Sequence, residues 1–249
     1  MNKRIPKDVA MAMDGSLASQ GIFYHAADAD ITHGTAMIVG PEDTPYAGGL
    51  FFFRLELPPE YPFVPPKVTF CTSDSQTRFH PNLYVSGKVC LSILGTWTGP
   101  NWASTMNLTT VLITIQSLLH ANPITCEPSY SMMPATDQRS IDYSDFVSHR
   151  VVRYTLGAYL GADASESAAG AAASASESAA GAGEFGTIFK EAMKTVRPIV
   201  FERIRKVIEK NKGVVKSYSG LFYSLGGLCN WSVLDVSLSK LTSASSQPS

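Results

Sequence analysis

From Gly161 to Gly183 no residue carries a large apolar side chain. The stretch is almost entirely Ala, Ser, Gly and acidic residues, and the heptapeptide SESAAGA occurs twice, at Ser165–Ala171 and Ser176–Ala182. Such a composition cannot bury enough apolar surface to offset the entropy of ordering, and a seven-residue repeat is too small for a solenoid unit. It predicts a flexible linker. The chain therefore has to fold as a body over residues 1–160 and a tail over 186–249, joined by a spacer over 161–185.

Charge follows the same division. Met1 to Thr155 holds 10 basic and 13 acidic side chains, Leu156 to Gly186 four acids and no base, and Thr187 to Ser249 10 bases and four acids. The whole-chain value of −1 excludes a strongly basic nucleic-acid binder, and 45% apolar residues exclude a wholly disordered chain. Nucleic acid is not an expected partner. Lys3, Arg4 and Lys7 are not followed by an apolar run, so no secretory signal is read there. Leu221 to Leu234 is too short and too interrupted to span a membrane. The four cysteines form no CxxC pair, so structural zinc is not expected and a reducing cytoplasmic or nuclear setting is.

The body reads as mixed α and β. Thr35–Val39, Leu50–Leu57 and Lys67–Phe70 are apolar or β-branched runs separated by Gly and Pro, as in an antiparallel meander. Five prolines between Pro58 and Pro66 exclude helix from the loop before the last run. Cys71 to Met106 is long and irregular, a pattern usually tied to function. Leu108, Val111, Leu112, Ile115, Leu118 and Leu119 then mark one face of a helix that Pro123 stops. Tyr143 to Tyr159 is a second helix. In the tail, Phe189, Met193, Val196, Val200, Ile204, Val207 and Ile208 mark a third, which Pro198 is expected to kink or divide and Gly213 to end.

The informative segment is Arg78 to Trp102, RFHPNLYVSGKVCLSILGTWTGPNW. It contains His80-Pro81-Asn82, with Cys90 eight residues after Asn82. Upstream lies Tyr61-Pro62-Phe63-Val64-Pro65-Pro66-Lys67; downstream lie Trp97, Trp102 and the first long helix. Together these resemble the catalytic core of the ubiquitin-conjugating enzymes, from roughly Ile5 to Tyr130 and more weakly to Tyr159. The GKVCLSILGTWTG run and the Thr110–Leu119 helix are similar to the long, Z-type branch. The resemblance implies an α+β, UBC-like fold: a four-stranded antiparallel meander flanked by helices, here with a helical C-terminal extension.

It also implies a chemistry. Cys90 would accept ubiquitin or a ubiquitin-like modifier from an activating enzyme as a thioester, then pass it to a lysine of a protein substrate. A thiol is both nucleophile and leaving group in such a transfer. Asn82 would stabilise the oxyanion or hold the active-site loop. His80 would brace the loop; the alternative is a base for Cys90, as in a thiol hydrolase. Glu127 is the acidic residue placed to orient the incoming lysine, the alternative being a solvated carboxylate. Ser92 stands where many members carry Asp. Cys71, Cys126 and Cys229 are read as structural. No metal or organic cofactor is implied. A modifier-binding variant without catalysis, acting as a scaffold, is the main rival.

For partners, the resemblance places an activating-enzyme surface at Lys3, Arg4 and Lys7, with Pro6 delaying the first helix. It places a RING-type ligase contact at Phe63. Ala103-Ser104-Thr105 lacks the proline expected for that contact. Trp102 is read as a packing residue, and Thr98–Asn101 as an insertion that shapes access to Cys90. For the basic tail, docking on the core or on an activating enzyme, lying on an anionic membrane or nucleic-acid surface, and a self-packed helical unit with solvated lysines are all open; the last is favoured.

Overall fold

The structure, a computed structural model, describes residues 3–163 and 185–244, with side chains over 3–159 and 185–242. Nearly all of the expected linker, including both heptapeptides, lies outside them. Helix α1 (Arg4–Met13) buries Ile5, Asp8, Val9 and Ala12 on one face. Pro6 does not delay it: a proline in the first turn lacks an N–H that has no intrahelical partner there. Strands β1 (Ile22–Ala27), β2 (Asp30–Val39), β3 (Leu50–Glu56) and β4 (Lys67–Phe70) form one antiparallel sheet in chain order. The expected meander is thus present, with β1 the strand that no sequence run singles out.

Helix α2 (Leu108–Leu118) buries Leu108, Val111, Leu112 and Ile115, and Asn107 caps it by accepting the Thr110 N–H at 2.9 Å. Helix α3 (Gln138–Asp163) starts five residues before the expected Tyr143. Those residues carry almost no apolar signal, and the Asp137 carboxylate takes the free Arg139 N–H at 2.9 Å.

The tail contains α4 (Gly186–Lys210), a hairpin of β5 (Val215–Tyr218) and β6 (Gly227–Asn230), and α5 (Trp231–Ala244). Pro198 neither ends nor divides α4. It lies on the exposed side, where water can take the carbonyl left without a donor. No run in the sequence marks the hairpin.

The apolar stripe of α4 packs on the sheet, not on the tail alone. Phe23, Met37 and Phe52 are in register across β1, β2 and β3, and so share a face. The Phe185 ring meets Phe52 on that face at 5.2 Å. Tyr159 of α3 meets Phe189 and Phe201 at 5.4 and 4.8 Å. Burying a Phe-sized side chain contributes about 2–3 kcal/mol, so this seam far outweighs any single ion pair. Gly48 allows the close approach. Its φ is +74°, and a Cβ there would stand 2.8 Å from the Ile204 side chain. The tail's charges answer the body's: Lys206 pairs with Glu42 at 2.6 Å, Lys216 with Asp142 at 2.7 Å, and Arg203 donates to the Gly40 carbonyl at 2.9 Å. The self-packed reading is therefore corrected. Among the described residues no helix is long and apolar enough to cross a membrane.

Candidate active site

Around the informative segment the backbone folds back on itself. The Cys90 N–H donates to the Asn82 carbonyl at 2.9 Å and Tyr84 N–H to the Lys88 carbonyl at 3.0 Å, so Asn82–Tyr84 and Lys88–Cys90 run side by side. The side chains lock the same pairing. Asn82 Nδ2 donates to the Cys90 carbonyl at 2.8 Å. Asn82 Oδ1 is buried without a hydrogen-bond partner. Thr96 Oγ1 donates to the Val89 carbonyl at 2.6 Å and accepts the Leu91 N–H at 2.9 Å. Cys90 is therefore gripped on both sides. Thr96 escapes sequence reasoning because a lone threonine in a Gly/Thr-rich loop carries no signal.

Cys90 itself is buried, 1% exposed. Ser92, two residues on, begins a short 3-10 turn, and Gly99 of the Thr98–Asn101 insertion packs against it. With φ +136° and only 2.9 Å from a built Cβ to the Ser92 Cβ, position 99 suits glycine. Trp102 anchors the far end of the insertion, donating Nε1–H to the Pro62 carbonyl at 2.6 Å beside Tyr61. Phe63, in the same proline loop, is 82% exposed.

His80 is fully buried, and its Nδ1 accepts the Asn82 N–H at 2.9 Å. Burial, with smaller contributions from the His120 ring and Arg78 and a partial offset from the Leu118 carbonyl, lowers its pKa to about 3. The imidazole is neutral, and its one proton sits on Nε2. This geometry braces the loop and leaves no base for a thiol.

His80, His120 and Cys126 bring ligand-type atoms within 4.8 Å of one another, the one such cluster among the described residues. It does not suit a metal. The Nδ1 lone pair is taken by the Asn82 N–H, so Nε2 is a protonated donor with no lone pair to offer. His120 Nε2 lies 3.2 Å from Cys126 Sγ, and burial raises the Cys126 pKa and lowers that of His120, which keeps both neutral.

Buried neutral histidines make stability depend on pH. The other strong case is His149 on α3, lowered to about 4 by burial; it accepts the Asn230 N–H of the tail at 3.1 Å. A histidine with a depressed folded pKa contributes fully above about 6.5, and that contribution is lost as pH falls toward the folded value. Between pH 7 and pH 5 the unfolded chain gains protons that His80 and His149 refuse, costing roughly 2 kcal/mol each. Urea unfolding is expected to show a lower midpoint at pH 5 than at pH 7, with the His149 share absent in His149→Phe. Equal midpoints at the two pH values would contradict this.

Glu127 lies between two short turns, Pro123–Cys126 and Pro128–Tyr130, and its Oε2 accepts the Tyr223 hydroxyl at 2.9 Å. It is half-buried, with one carboxylate oxygen bonded to the tail. Of the basic trio near the N-terminus, Lys3 and Lys7 are exposed. Arg4 is turned inward: it pairs with Asp8 at 2.7 Å and donates to the Met106 carbonyl at 3.0 Å, while Tyr61 donates to Asp8 at 2.5 Å. Arg4→Ala leaves the buried Asp8 carboxylate with less compensation. It is expected to destabilise the fold by about 2 kcal/mol in chemical denaturation; a loss below about 0.5 kcal/mol would show that solvent replaces the pair.

The family model described as "Ubiquitin-conjugating enzyme" matches residues 4–146. "Ubiquitin-conjugating enzyme E2 Z" of Xenopus tropicalis is 46% identical over 137 residues, covering 55% of this chain and 44% of that protein. The Homo sapiens protein of the same name is 45% identical over 137 residues, covering 55% and 38%. "Probable ubiquitin-conjugating enzyme protein 17" of Caenorhabditis elegans is 40% identical over 166 residues, covering 62% and 22%. The matched part is thus less than half the length of these relatives.

Proposed function

Because this chain belongs to the ubiquitin-conjugating enzyme family, we propose that it takes ubiquitin or a ubiquitin-like modifier from an activating enzyme onto Cys90 and transfers it to a lysine. The observation that carries this reading is the grip on Cys90, whose peptide is held by the Asn82 amide at 2.8 Å and flanked by the Thr96 bonds. A nucleophile has to be held at a fixed place, and a backbone fixed on both sides of position 90 supports that role.

In the second step the lysine nitrogen bonds to the thioester carbonyl carbon and the C–S bond breaks. Cys90 leaves as thiolate, and the surplus amine proton passes to water. Charge develops on the carbonyl oxygen in between, and the Asn82 amide would be the neutral donor that receives it. His80 has no part in the proton transfer. ATP is consumed by the activating enzyme. Lys3 and Lys7 would meet that enzyme, and exposed Phe63 a RING-type ligase.

A second reading, a modifier-binding scaffold, draws on the burial of Cys90. Reconstitution separates the two. With an activating enzyme, ATP and ubiquitin, or a ubiquitin-like modifier in its place, the chain is expected to form an adduct that disappears with thiol reductant. No adduct with any modifier would leave the scaffold.

A further inference from the structure

The C-terminal extension does more than cover the sheet. Its Phe222–Ser224 turn reaches the catalytic side of the body. Phe222 packs against Tyr130 and, edge to face, against Tyr143, at 4.7 and 5.8 Å between ring centres. Next to it Tyr223 makes two contacts at once. Its hydroxyl donates to Glu127 Oε2 at 2.9 Å, and its ring lies 4.1 Å from the Arg78 guanidinium, which also lies 3.8 Å from the Tyr84 ring.

These contacts close a ring around the site. Tyr84 is two residues from Asn82, on the segment paired with Lys88–Cys90. Arg78 donates to the Pro81 carbonyl in the same loop. From His80 the path runs through the His120 ring to Cys126 and so to Glu127. Tyr223 joins the two ends. Tyr223 and Ser224 both hold left-handed backbone, at φ +62° and +57°, which residues with a Cβ adopt only when their surroundings impose it. Around Tyr223 stand Tyr143, Arg78 and Glu127, and Tyr130 holds Phe222 beside it.

We propose that Tyr223 is a positioning residue for the acceptor amine, fixing the Glu127 carboxylate beside the loop that carries Asn82 and Cys90. The tail would then supply one part of the lysine-transfer site. The inference rests on the transfer reaction proposed above and deepens it. Glu127 would draw in a lysine ammonium through its charge. A carboxylate tied at one oxygen presents the other in a fixed direction, whereas an untied one is spread over rotamers.

Tyr223→Phe removes only the hydroxyl and keeps the ring on Arg78. Charging of Cys90 is expected within about twofold of wild type. Single-turnover discharge to free lysine is expected to fall roughly fivefold to tenfold, mostly through a higher apparent KM for lysine. In a Glu127→Gln background, Tyr223→Phe is expected to add nothing, because the partner is already gone. Discharge at or above the wild-type rate, or full additivity with Glu127→Gln, would overturn the proposal while leaving the transfer reaction intact. A wild-type chain that never charges would overturn both. Unfolding curves on each variant separate a lost hydrogen bond from a lost fold.

Discussion

Cys90→Ser is expected to convert the reductant-sensitive adduct into one that survives thiol reductant and is cleaved by hydroxide. Oxygen in place of sulfur changes little in size, and the backbone bonds of Asn82, Val89 and Leu91 do not involve the side chain at position 90, so the fold is retained. The chemistry changes because an oxygen ester is less reactive toward an amine and its alkoxide is a far poorer leaving group than a thiolate. Transfer to lysine is expected to fall by more than about 1,000-fold. Cys90→Ala is expected to form no adduct. Cys126 and Cys229 do not compensate: burial raises the Cys126 pKa, and raises that of Cys229 to about 11, so neither supplies thiolate at neutral pH. Gel analysis with and without reductant reads the result directly. A reducible adduct that persists in Cys90→Ala would move the acceptor to another cysteine.

The second large effect is expected at Asn82. Its amide holds the Cys90 carbonyl in the resting protein, and under the proposed reaction the same neutral group would donate to an oxyanion. Losing the ground-state bond is worth about 1.4 kcal/mol, or roughly tenfold in charging. Losing an oxyanion donor as well is expected to slow discharge to lysine about 100-fold. Asn82→Ala tests both steps by single-turnover kinetics. Charging at the wild-type rate with slow discharge would confine Asn82 to the oxyanion. Equal losses in both steps would confine it to the loop. Wild-type rates in both would remove it from the site. Asn82→Asp is expected to be at least as damaging, because a carboxylate cannot donate to the Cys90 carbonyl and would be buried beside it.

The Leu108–Leu119 face, the Lys67–Phe70 strand and the His80–Asn82–Cys90 constellation are legible in the sequence because they depend on near neighbours along the chain. Periodicity, proline positions and short spacing encode such contacts directly. A subtler signal lies in the strands. Leu50-Phe51-Phe52-Phe53 and Thr35–Val39 are apolar without alternation, and both are buried along their length. An antiparallel sheet with one wet face alternates; an unbroken run means both faces are covered. That pattern calls for a second layer, which α4 supplies. Arg4 misleads for the opposite reason. A basic residue near a terminus is usually solvated, and only the nearness of Asp8 and Tyr61 shows that it is not.

What the sequence alone determined is the local chemistry: a UBC-like body, the His80–Asn82–Cys90 spacing, a linker-like composition and an amphipathic basic tail. What only the tertiary structure decided is where the tail goes. An amphipathic helix states that it needs an apolar partner, and a basic one that it tolerates acidic neighbours, but neither names them. The sheet face at Phe52, the Glu42 and Asp142 carboxylates, and the contact between Tyr223 and Glu127 become available only when the body is folded. Their separation along the chain, 96 residues between Tyr223 and Glu127, leaves no periodic or spacing signal to read.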